Sequence, residues 1–143
     1  MQLMKAAADF SGRFLIGATF IYWGARQSLE TLAVEYGVGA PPASGGYRGY
    51  MEGHGVAYEL LPLVLVTELG CGLLVVIGWR TSYASIALAG FCLLANYFFH
   101  TDFTNHANVV IFIKNIALAG GLLVVAGNGA GPWSVDARRK LSA

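Results

Sequence analysis

The chain has 143 residues, of which 56% are hydrophobic and only 12% charged, and its formal net charge is +1. Soluble domains carry roughly 25% charged residues, so this composition excludes an ordinary water-soluble globule. The absence of a basic patch or stripe excludes a nucleic-acid binder.

A bilayer core about 30 Å thick takes roughly 20 apolar residues in a helix. Four segments of the single domain 1–143 meet that length, at about 10–32, 58–77, 82–99 and 108–126. The first carries Arg13, Arg26 and Glu30 and the second Glu59 and Glu68, so both are weaker in hydropathy than the later two. The first span reads as retained rather than cleaved: Lys5 is a weak basic start and no small-residue cleavage site follows. Segment 33–57, glycine-rich and containing Pro41-Pro42, should bend and turn. It is expected either to lack order or to fold over the outer mouth as a lid. In the fourth span, residues 116–125 contain no polar side chain, whereas a helix of a soluble bundle shows a polar stripe. The tail, 127–143, is too broken by glycine and proline to prolong that helix.

Lys and Arg near the spans set orientation. Lys5, Arg13, Arg80, Arg138, Arg139 and Lys140 lie on one side, and Arg48 alone on the other. The expected fold is therefore all-α, a four-transmembrane-helix bundle with both termini cytoplasmic. Trp23, Tyr58, Trp79, Tyr83 and Trp133 fall near span ends, where interfacial aromatics belong.

Charges inside a bilayer cost at least about 2.5–3.5 kcal/mol each at a helix centre, so they are paired or functional. Glu68 lies roughly 15 Å and Lys114 roughly 9 Å below the outer ends of their spans, at about 1.5 Å per residue. We expect an ion pair between them, or a link through Asn115 or water. Such a pair either locks helix register or serves a substrate, a proton or a quinone. Arg26, Asn96, Asn115, His100 and His106 fall near the same level. They read either as ordinary polar residues at helix ends or as an outward-opening pocket, with Tyr22, Tyr97 and Phe98 as walls and Lys, His and Asn donating to quinone carbonyls. His54, His100, Asp102 and His106 have metal-ligand chemistry but no recognised spacing, so no metal site is assigned. Arg13 either snorkels to headgroups or fastens onto Asp136 or the carbonyls of the 129–136 tail. Cys71 and Cys92 are expected at different depths, hence unbridged and inert. Gly70, Gly72, Gly90, Gly120 and Gly121 offer surfaces for close helix approach.

Several pieces together resemble the DoxX family of small bacterial membrane proteins. They are Arg13-Phe-Leu-Ile-Gly17 with Phe20 and Gly24, Gly39-Ala-Pro41, Glu68-Leu-Gly70, Gly78-Trp-Arg80-Thr81, Lys114-Asn115-Ile-Ala-Leu-Ala-Gly120-Gly121, and Gly129-Ala-Gly131-Pro132-Trp-Ser134-Val-Asp136. The resemblance implies a four-helix protein of the bacterial inner membrane, in a family associated with quinone-linked sulfur oxidation, thiol and superoxide redox assemblies, or copper-related peptide modification. It leaves the substrate open, because function lives in sites rather than folds. The expected function is a membrane subunit of a quinone-linked or thiol redox assembly, in contact with lipid and with soluble redox proteins, and able to form homo-oligomers. Its alternatives are a non-catalytic anchor or scaffold and a small oligomeric transporter. No flavin fingerprint, phosphate loop or nucleophile motif is present.

Overall fold

Each apolar run becomes a helix. The computed structural model describes residues 1–37 and 46–141, the side chains of Lys140 and Leu141 excepted, and contains no strand among them. Expectations placed on Gly39, Pro41, Pro42 and Gly45 lie outside the described residues.

Helix α1 runs Gln2–Tyr36 and stops at Gly37, whose φ of 65° turns its N–H back onto the Leu32 carbonyl. A short helix, α2 (Gly46–Gly53), occupies the segment expected to be a lid. Helix α3, Tyr58–Ile77, starts with a 3-10 turn at Tyr58–Leu60 and contains a π-helical turn at Val66–Cys71. Helix α4 is Thr81–Phe99. Helix α5 is His106–Asn128, and Asn105 caps its start by accepting the Ala107 N–H at 3.0 Å. The tail ends in α6, Val135–Leu141.

Three of these helices, α3, α4 and α5, are long and apolar enough to cross a membrane. The fourth expected span, within α1, does not meet that composition, because Arg13, Arg26, Gln27 and Glu30 interrupt its apolar run.

Packing nonetheless sets α1 beside a spanning helix. A Cβ on Gly17 would lie 2.6 Å from Val76 Cγ2 and 2.7 Å from the Gly72 carbonyl oxygen, and one on Gly24 would lie 2.8 Å from Leu69. These small residues let α1 and α3 run antiparallel in backbone-to-backbone contact. Of the glycines picked out from sequence for close approach, Gly72 plays that part, and Gly121 of α5 faces Ile16 of α1, whose Cδ1 would lie 3.4 Å from an added Cβ. A Cβ on Gly90 or Gly120 would meet only open space, and one on Gly70 only Val66 of its own helix. Helix α5 rests mainly on α4. Phe20, Val75, Ala84, Leu88, Ala89, Cys92, Ala119 and Leu122 form the core. Leu63, Val66, Ile86, Leu94, Ile113, Leu123 and Val124 point away from it, an inside-out pattern that places hydrocarbon outside as well as in. Both cysteines are free thiols.

The tail folds back under the bundle. Asp136 accepts from the Arg80 N–H (2.9 Å), the Thr81 N–H (3.0 Å) and the Thr81 hydroxyl (3.1 Å), capping α4 from 55 residues away. Its own N–H donates to the Gly78 carbonyl at 2.8 Å. Loss of an N-cap costs about 0.5–2 kcal/mol. Asp136→Ala is expected to lower the unfolding free energy in detergent by that amount and to speed amide exchange at Arg80 and Thr81. Unchanged exchange there would remove Asp136 from the capping role.

Candidate functional site

The end of the bundle that holds α2 contains a cavity of about 580 Å³. Volumes of roughly 300–1,000 Å³ are usual for small-molecule sites. Its floor is Glu68, only 5% exposed, carried by the π-helical turn of α3. An extra residue in a helical turn re-aims the side chains around it, and such turns recur at functional sites. The Gln27 amide of α1 faces the Glu68 carboxyl. Oxygens Glu68 Oε2 and Gln27 Oε1 are both buried without a hydrogen-bond partner among the described residues.

The walls are aromatic: Phe20 and Trp23 from α1, Phe91 and Phe99 from α4, and Tyr47 and Tyr50 from α2. Helix α2 thus lies over the mouth, held by fully buried Met51 and by Tyr50 stacked on Phe99 at a centroid distance of 5.1 Å. Burial pushes the Tyr47 phenol above its ordinary range, with the nearby Glu68 charge adding to the effect, so it stays a neutral hydroxyl. His100, which also lines the cavity, is pulled below the usual imidazole range by burial, against a weak contact of 3.5 Å with Asn108.

Helix α1 packs mainly on α3, and α5 on α4, leaving a seam between α1 and α5. Thr19 and Trp23 on one lip, and Ile111, Lys114 and Leu118 on the other, line the cavity along this seam. Trp23 and Ile111 are also exposed on the apolar exterior. The cavity therefore reaches the exposed apolar exterior between α1 and α5.

The sequence-predicted site residues are brought together only in part. Glu68 and Lys114 share the cavity but form no ion pair within 4 Å, because Glu68 sits at the buried floor and Lys114 at the exposed lip. Asn115 lines the cavity and donates to Asn96 Oδ1 at 2.8 Å, and Asn96, 2% exposed, donates to the Phe112 carbonyl at 3.0 Å. Asn96 therefore braces Asn115 from behind rather than lining the space. Arg26 is not a lining residue: it turns outward onto Glu30 at 3.0 Å and lies over Trp23. His106 also lies off the lining, and Tyr22, Tyr97 and Phe98 face outward rather than forming walls. Among the described residues no three His, Cys, Asp or Glu gather as metal ligands.

At the opposite end Arg13 is 1% exposed and does not snorkel. It donates through Nη1 to the carbonyls of Val75 (2.9 Å) and Val76 (3.2 Å), and through Nη2 to that of Trp133 (2.8 Å).

The DoxX family model matches residues 8–101. The chain belongs to the DoxX family. It is 37% identical over 112 residues to "Inner membrane protein YqjF" of Escherichia coli, a match covering 78% of this chain and 86% of that protein. It is also 38% identical over 71 residues to "ER-derived vesicles protein ERV29" of Saccharomyces cerevisiae, covering 46% of this chain and 23% of that much longer protein. No solved structure matches the chain significantly. With its three apolar helices, this DoxX-family chain is an integral membrane protein. The family match stops before Lys114 and the 129–136 tail, two of the pieces that carried the resemblance in sequence.

Sequence reasoning missed several residues of this DoxX-family cavity. Gln27 lies within the first expected span and Tyr47 and Tyr50 within segment 33–57, and none of the three stood out there. The i, i+3 spacing of the two tyrosines between glycines was the available signal that they share one helical face.

Proposed function

We propose that this protein crosses the inner membrane four times, with both termini cytoplasmic, and holds a lipid-soluble quinone-type molecule in the α2-end cavity for a redox assembly in the membrane. The opening onto the exposed apolar exterior between α1 and α5 carries this reading. A ligand dissolved in the bilayer needs such a door, and a water-soluble one does not.

Three further features support it. Helix α1 is the fourth span: it lies against α3 from Gly17 to Gly24, so where α3 crosses hydrocarbon, α1 does too. Arg13, one turn before that contact, is withdrawn from lipid onto carbonyls. The clustering of Lys and Arg toward the α6 end gives the orientation, and the inner-membrane address follows the E. coli relative. The cavity itself has flat aromatic walls and polar groups at its two ends, Glu68 with Gln27 at the floor and Lys114 with Asn115 and His100 toward the rim. A substituted ring with an oxygen at each end fits that division.

Protein purified into lipid nanodiscs should yield an extractable quinone and bind a short-chain benzoquinone with quenching of Trp23 fluorescence. Lys114→Met should weaken that binding about 10- to 150-fold, the value of one charge-assisted hydrogen bond at about 1.5–3 kcal/mol, with an unchanged melting temperature. Failure of both extraction and quenching would overturn the assignment.

A further inference from the structure

The polar ends of the cavity are not equivalent. At the floor, Glu68 Oε2 and Gln27 Oε1 are acceptors that no described residue satisfies. At the lip, the Lys114 ammonium makes no hydrogen bond or ion pair among the described residues and is purely a donor. A buried acceptor without a donor costs about 1–3 kcal/mol, and two of them meet at this floor, 5% and 8% exposed by residue.

A quinone presents only carbonyl acceptors. One of its ends would suit Lys114, but the other would set a carbonyl oxygen against carboxyl and amide oxygens. A hydroquinone carries hydroxyls, and each both donates and accepts. One hydroxyl donates to Glu68 Oε2 or Gln27 Oε1, while the oxygen at the far end accepts from Lys114. We infer that the site selects the reduced, dihydroxy form of its ligand over the oxidised, dicarbonyl form. This rests on the quinone-type reading of the cavity and adds to it the redox state that is held.

The test is anaerobic binding of a short-chain benzoquinone and its hydroquinone to the protein in nanodiscs, read by Trp23 fluorescence and by calorimetry. The hydroquinone should bind about tenfold more tightly, one hydrogen bond's worth of discrimination. Glu68→Leu should bring the two affinities to within about threefold, while Lys114→Met weakens both forms alike. If Glu68→Leu fails to give a cooperative melt, Gln27→Leu removes the neighbouring acceptor and should narrow the preference in the same direction. Equal or tighter binding of the oxidised form to the unmodified protein would overturn the selectivity and leave the quinone-type site standing. Binding of neither form would overturn both.

Discussion

Arg13→Ala should lower the unfolding free energy by about 3–5 kcal/mol, through unsatisfied buried carbonyls at about 1–3 kcal/mol each and the cavity left by a long side chain. Val75 and Val76 belong to the last turn of α3, whose carbonyls have no helical donors. The guanidinium supplies them from another helix, places its charge at the favourable end of the α3 dipole, and reaches Trp133 in the tail through Nη2. Arg13→Lys keeps the charge but not the planar fork, so it should recover only part of the loss. Equilibrium unfolding in detergent, with monomer yield as a companion measure, gives the comparison. A full rescue by lysine would mean that charge, not the fork, holds the joint.

Gly78→Val should be comparably damaging. Gly78 ends α3 at φ 74°, and its Cβ would lie 2.5 Å from Ser134 Cβ and 2.6 Å from Arg13 Nη1. The left-handed conformation costs a side chain about 1–2 kcal/mol, and the forced displacement of Ser134 and Arg13 adds about 1–3 kcal/mol. Gly78→Ala should cost less at the first of these and nearly as much at the second. The same unfolding measurement separates the two contributions. A mild Gly78→Val phenotype would show that the tail can move away from the α3–α4 turn.

Most of the helices were legible because hydrocarbon demands apolar length, and 58–77, 82–99 and 108–126 each supply it to within a few residues of the observed ends. Helix α1 was harder. Its charges read as a flaw in a span, yet Arg13 donates to carbonyls more than 60 residues away, and no local pattern encodes such a partner. The candidate site was legible in its chemistry but not its geometry. Glu68 and Lys114 stood out by violating the apolar rule, and counting turns put them at compatible depths. Counting gives depth only, so it could not show that a cavity separates them. Nor could it turn Arg26 outward, since that depends on the rotation of α1, set by Gly17 and Gly24 against α3. The tail motif was visible as a break in helix. Its use as a remote cap for α4 needed the fold.

The joint at Arg13 has a consequence for biogenesis. The arginine is made with the first helix, two of its acceptors arrive with α3, and the third arrives only after α5 has been made. A chain stalled or cut before Trp133 would hold an incompletely satisfied guanidinium and an uncapped α4. Completion of synthesis is thereby coupled to closure of the bundle, which gives membrane quality control a structural difference between finished and unfinished molecules.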